Sequence, residues 1–151
     1  MKKTLADNIY YLGSAKQAAD YESTTEFLIN HIKKTFNFGG DIGTVLETLQ
    51  EYYLNQFKPS LSISLSVDEG VKIAEDKQFE IDFKAEFDAF TKRKQAMELN
   101  IPNAYAFLWD QCAKLLQNKI ETRADFLLDI RRNSINLLKV IKQHALNYQE
   151  S

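Results

Sequence analysis

Two stretches decide the fold: Leu108-Trp109-Asp110-Gln111-Cys112-Ala113-Lys114-Leu115-Leu116, and Ile135-Asn136-Leu137-Leu138-Lys139-Val140-Ile141-Lys142-Gln143-His144-Ala145-Leu146-Asn147-Tyr148. In each, apolar residues recur at three- and four-residue intervals, the spacing that lines one face of a helix. The first predicts a helix from about Ala104 to Ile120, with Tyr105, Leu108, Trp109, Cys112, Leu115 and Leu116 on one side and Ala104 and Phe107 widening it. The second predicts a final helix from Ile135 to Tyr148, capped by Asn133-Ser134. Its inward row is Leu138, Ile141, Ala145 and Tyr148, leaving Leu137, Val140 and Leu146 outside that row as a candidate interface. A short helix over Asp125 to Arg131 joins the two.

Working outward, Ile101-Pro102-Asn103 reads as a break, because proline biases the residue before it away from helical backbone. Upstream lies a long central helix, opened by Ser66 or Asp68 and reaching Leu99. Phe79, Phe83, Phe87, Phe90 and Met97 fall on one face and read as a core stripe, with Ile81, Ala85 and Ala89 opposite. Leu61-Ser62-Ile63-Ser64-Leu65-Ser66-Val67 alternates with a period of two, a strand signature. Nothing else in the chain alternates, so the segment reads as an extended surface linker with Leu61, Ile63 and Leu65 pinned onto a helix.

Nearer the start, Ser23-Thr24-Thr25-Glu26 fits a capping box, followed by Leu28, Ile29, Ile32 and Phe36. Gly39-Gly40 stops that helix, and Ile42, Val45, Leu46, Leu49, Tyr52 and Tyr53 define its antiparallel partner. The organisation read from the sequence is an N-terminal arm over residues 1–22 with a short helix at Ser14–Ala19, then one helical domain over 23–151. That domain divides into a hairpin over 23–53, a linker over 54–67 and a main helical region over 68–151. The fold class is all-α, a helical bundle of five to six helices with one long central helix and an extended linker.

Composition agrees. With 151 residues, 44% hydrophobic and 12% aromatic, the chain is long and apolar enough to bury a core. Only 5 Gly and 2 Pro favour long helices over a turn-rich β protein. A single Cys allows no intramolecular disulfide, which points to a reducing compartment and a cytoplasmic protein. No apolar run has the roughly 20 residues that a membrane span requires, so no membrane partner is expected.

The net charge of −2 is unevenly spread. Residues 68–110 carry 6 basic and 10 acidic side chains, whereas residues 111–151 carry 7 basic and 4 acidic. Lys114, Lys119, Arg123, Arg131, Arg132, Lys139 and Lys142 make up the basic set. It reads as solvated helix faces, with weak nucleic-acid contact as the alternative.

Catalytic and metal chemistry find little to stand on. His31 and His144 lie on separate helices, and no compact Cys or His spacing of a metal site occurs. Cys112 shares an apolar face with Trp109 and reads as a small hydrophobe. The acids Glu75, Asp76, Glu80, Asp82, Glu86 and Asp88 lack the Glu-x-x-His partners of a dimetal bundle. Gly39-Gly40-Asp41-Ile42-Gly43 lacks the lysine and spacing of a phosphate loop. No catalytic residue and no cofactor is expected.

Three ordered blocks carry a family resemblance: Leu108-Trp109 with Gln111-Cys112 and Lys114; Lys119-Ile120-Glu121 with Arg123, Asp125 and Phe126; and Leu137-Leu138-Lys139 through Glu150. In this order the chain resembles the N-terminal half of Gag-like polypeptides from Copia-type LTR retrotransposons. The likeness spans Tyr10 to Glu150, is densest over Thr24–Tyr52 and Phe79–Glu150, and is weak over Asn55–Lys77. Asn133-Ser134 stands where the family often has an acid-Pro pair, and the Cys-and-His zinc knuckle of many such chains does not occur before Ser151. The resemblance implies a structural capsid-region protein that self-associates into a retrotransposon particle, a homo-oligomer without enzymatic activity whose RNA binding is weak without the knuckle. Two other functions fit the residues: a helical protein-interaction module (a truncated or host-adapted element product), and a weak helical nucleic-acid binder using the basic set.

Overall fold

The computed structural model describes residues 4–12 and 15–150, with side chains for all of these except 15–18 and 147–150. Five α-helices are present among the described residues: α1 (Ala15–Thr35), α2 (Gly39–Thr48), α3 (Glu69–Asp110), α4 (Lys114–Glu121) and α5 (Ser134–Glu150). Tight 3-10 turns at Leu5–Asp7 and Tyr53–Phe57, and a wide π-turn at Phe126–Ile130, complete the regular structure. The protein is all-α, with one long helix and an extended linker, as its periodicities require.

The first helix departs from the sequence reading. Ser23 does not begin a helix; α1 starts at least as early as Ala15 and runs through it. Nothing in Ala19-Asp20-Tyr21-Glu22 opposes helical backbone, and the Ser23 hydroxyl turns back to donate to the Asp20 carbonyl at 3.1 Å. The expected position of Ser14 lies outside the described residues. Leu28, Ile29 and Ile32 are buried as their spacing demands.

Phe38, in left-handed backbone at φ 52°, turns the chain into α2. Gly39 is required here because a methyl group at its Cα would collide with the Lys33 carbonyl. A Lys33–Glu47 ion pair ties the two helices across this turn. Helix α2 ends at Thr48, short of the expected Tyr53, where Leu49 adopts φ 55° and leads into the 3-10 turn.

Helix α3 is longer than its sequence suggests. Asp68 caps it, accepting from the Val71 N–H at 3.0 Å. Pro102 lies inside it and does not end it. The proline lacks the N–H that would reach Glu98, and Glu98 and its neighbour Leu99 are exposed, so water can serve the freed carbonyl. Asn100, on the buried side, donates to the Asn37 carbonyl at 2.6 Å and holds the helix against the α1–α2 turn. The Trp109 segment is thus the last turn of α3, not a helix of its own.

The break falls instead at Gln111–Ala113, where the N-terminal stretch docks. Tyr10 donates to the Gln111 carbonyl and accepts from the Ala113 N–H, both at 2.8 Å, in a two-bond parallel bridge. The Gln111 amide donates to the carbonyls of Leu5 at 2.8 Å and Asn8 at 3.0 Å. Tyr10 is fully buried, and its hydroxyl meets Thr25 of α1 at 2.6 Å.

Helix α5 threads the centre of the bundle, against α1, α2, α3 and the π-turn. Asn133 caps it, accepting from the Asn136 N–H at 3.0 Å. Ile135, Leu137, Leu138, Val140, Ile141 and Ala145 are all buried. At about 100° per residue these positions wrap roughly 220° of the helix, the arc of a helix with neighbours on most sides. No helix among the described residues is long and apolar enough to cross a membrane.

Candidate association surface

Arg93 marks where α3 leaves the core. Its guanidinium grips Asp41 of α2 with two bonds, 2.9 and 2.7 Å, and lies 4.6 Å over the Phe57 ring. On the C-terminal side of this clamp α3 is packed: Ala96, Met97, Asn100, Ala104, Tyr105 and Leu108 are buried. On the N-terminal side, no residue from Glu69 to Ala89 is buried. These 21 residues form an arm roughly 30 Å long at 1.5 Å per residue.

The aromatic stripe on this arm is therefore not the core face its spacing predicts. Only Phe90 is buried; Phe79 and Phe83 are half-buried and Phe87 is exposed. Phe83 and Phe87 lie 5.8 Å apart, and Phe87 and Phe90 6.5 Å apart, so the rings run as a ladder from solvent into the core. A helical period requires that one face be covered but does not say by which chain.

Alongside the arm runs the linker, and its facing is the reverse of that expected. Ser64 is buried: its N–H donates to Asp76 at 2.7 Å and its hydroxyl to Glu75 at 3.2 Å. Leu61, Ile63, Leu65 and Val67 point away, with exposures of 52, 70, 96 and 104%. Ser64 faces the helix because α3 offers carboxylates there, which satisfy its backbone and hydroxyl donors. Together with Val71, Ile73, Ile81 and Phe87, the outward residues give the arm and linker eight exposed large apolar side chains.

The interface expected on α5 is not there. Leu137 is fully buried and Val140 nearly so, because α5 is central and not peripheral; of the three candidates only Leu146 is exposed, at 46%. Tyr148 lies outside the described side chains. Leu115, expected to face inward, is exposed along with Leu127 and Leu128, while Leu116 takes the buried position.

The basic set is dispersed. Arg123 is held by Asp125 through two bonds of 2.9 and 3.0 Å. Arg123 and Lys139 border a shallow depression of about 480 Å³ that also holds Asp125 and Asp129. Lys142 lines a different groove, of about 660 Å³, with Glu22, Glu26 and Glu47 of α1 and α2. Lys114, Lys119, Arg131 and Arg132 are exposed, Arg132 in left-handed backbone at φ 66°. Each described cluster thus mixes both signs.

Among the described residues no metal-binding cluster assembles. Burial pushes the Cys112 thiol up to about 12, and its sulfur contacts the Leu108 carbonyl at 3.4 Å. His31 stacks on Phe107 with centroids 5.0 Å apart. Burial, then the charges of Arg123 and Lys119, hold His144 below the usual imidazole range. Among the described residues, no three His, Cys, Asp or Glu side chains are grouped to hold a metal.

Comparison with protein-family models, with curated proteins and with solved structures finds no match to this chain.

Proposed function

We propose that this protein is a structural, self-associating chain, the capsid-region part of a Copia-type Gag-like polypeptide, that works by burying helix and linker surface between copies and carries out no turnover. One observation carries the reading: the arm and linker hold eight large apolar side chains exposed, Leu61, Ile63, Leu65, Val67, Val71, Ile73, Ile81 and Phe87. Exposed apolar surface of this extent marks an association site in a folded protein. The resemblance adds the kind of assembly. Its quoted apolar positions Leu108, Ile120, Leu137, Leu138 and Ile141 are core residues here, so the motif reads as a fold pattern, not a reactive one.

Sedimentation between about 10 and 200 μM, the range in which modest interfaces populate, tests it. The expected result is a concentration-dependent rise in mass that Leu65→Asp combined with Ile73→Asp abolishes without loss of helical signal, since both residues are exposed. A chain that stays monomeric throughout overturns the proposal and favours an interaction module with a foreign partner.

A further inference from the structure

Helix α3 has an exposed apolar surface near each of its ends, and the two differ in charge. At the N-terminal end, the arm over residues 69–89 holds 7 acidic and 3 basic side chains, a net of −4. Its exposed apolar residues are Val71, Ile73, Ile81 and Phe87, continued by Leu65 and Val67 of the linker.

At the other end, the last turn of α3 meets the π-turn, where Trp109 packs on Phe126 with ring centroids 5.7 Å apart. Ile130, at the far side of that turn, is buried in the core. A turn pinned at both ends holds out what lies between them. Leu127 and Leu128 stand 69 and 90% exposed there, followed by the exposed Arg131 and Arg132. Residues 114–132 carry 5 basic and 3 acidic side chains, a net of +2.

We propose that the arm of one copy docks on the Leu127-Leu128 turn of the next, a head-to-tail contact between an acidic and a basic apolar surface. It rests on the self-association reading above and names the contact.

Two observations select a second copy in this orientation. The first is distance. Phe79, at the middle of the arm, and Trp109 lie 30 residues apart on one helix, roughly 45 Å at 1.5 Å per residue. The arm cannot reach its own turn, so the turn takes the arm of another copy.

The second is charge. Arm against arm would bring −4 to −4, whereas arm against turn brings −4 to +2. Like charges set together cost free energy and opposite ones steer association. Glu80, Glu86 and Asp88 on the arm are exposed, as are Arg131 and Arg132 on the turn. A head-to-tail contact leaves an unused arm at one end and an unused turn at the other. It therefore propagates into a ring or an open chain and does not stop at a dimer.

Complementation in sedimentation tests the contact. Leu65→Asp with Ile73→Asp blocks the arm, and Leu127→Asp with Leu128→Asp blocks the turn. All four residues are exposed, so circular dichroism should show unchanged helix. Each variant alone should associate at least about tenfold more weakly than the wild type, the contribution of one buried leucine. Mixed, the intact arm of one fits the intact turn of the other, so the mass should rise to that of two chains and stop. Either variant associating like the wild type overturns the contact, although self-association stands. A mixture that stays monomeric does the same. A wild-type chain monomeric at about 200 μM brings down both readings.

Should the turn variant fold poorly, the wild-type chain still decides. Between about 0.1 and 1 M salt the screening length falls from about 10 to about 3 Å. The head-to-tail contact should weaken at least about threefold over that range, the loss of one or two exposed ion pairs. Affinity that holds or tightens, as relief of arm-against-arm repulsion requires, overturns it.

Discussion

Arg93 and Asp41 meet through two parallel hydrogen bonds at the point where α3 passes from core to solvent, with the guanidinium also resting on Phe57. The pair joins α2, the Tyr53–Phe57 turn and α3, so it sets the angle at which the arm projects. Asp41 is only 14% exposed, and hydrogen bonds of this geometry to a charged partner are stronger than neutral ones. Asp41→Ala should cost about 2 kcal/mol in a urea titration. Asp41→Asn, which keeps one acceptor, should cost less; equal losses would mean that a neutral acceptor contributes nothing and the Asp41 charge carries the pair, and no loss in either would leave Arg93 acting through Phe57 alone.

Leu137 gives a sharper contrast between interface and core. The sequence placed it on an outer row, where Leu137→Glu would disperse oligomers and spare the fold. The structure buries it completely. A carboxylate there is shut off from solvent, so Leu137→Glu should lower stability by more than about 4 kcal/mol. Far-ultraviolet circular dichroism should show loss of helix at 37 °C. A fully helical variant would mean that α5 is peripheral.

Alkaline pH should destabilise this protein. Burial pushes the Cys112 thiol from 9.0 to about 12, and burial likewise raises the hydroxyls of Tyr10, Tyr21 and Tyr105 above 10.0. Above pH 9 the unfolded chain sheds these protons while the folded protein keeps them, so stability is lost as pH rises through that range. The urea midpoint should fall between pH 8.5 and 10.5, both values bracketing the thiol's ordinary 9.0. Cys112→Ala should make the fall shallower; an unchanged slope would assign it to the tyrosines.

RNA binding should be weak. The basic residues are dispersed and partly paired with acids, so few phosphates can be met at once. At about 150 mM salt the dissociation constant should be no tighter than roughly 10⁻⁶ M, the weak end of non-specific binding. Nanomolar affinity at that salt would replace assembly with direct nucleic-acid binding as the function.

Helical periodicity made the interior legible. Leu28, Ile32, Ile42, Leu46, Leu108, Leu138 and Ile141 are buried where spacing placed them. Helix boundaries were less so: Ser23 and Pro102 carry local signals for starting and stopping, yet neighbours favourable to helix on both sides carry the backbone through. The association surface was the least legible. The spacing of Phe79, Phe83 and Phe87 demands a cover, and the alternation of Leu61 to Val67 demands a neighbour, but a linear pattern does not state whether either comes from the same molecule. The missed signal was the serines: Ser62, Ser64 and Ser66 interleave the apolar residues, and Glu75 and Asp76 offer acceptors for only one of the two faces.

The Tyr10–Gln111 bridge has a consequence for how the chain acquires its shape. Its two bonds, and the amide contacts from Gln111 to Leu5 and Asn8, join residues about a hundred positions apart. Closing so large a loop repays its entropy only once the contacts at both ends exist. During synthesis the α1–α2 hairpin can form early from local contacts, but Tyr10 lacks its backbone partners until Gln111–Ala113 has left the ribosome. The arm, with no buried residue from Glu69 to Ala89, draws no packing from that closure.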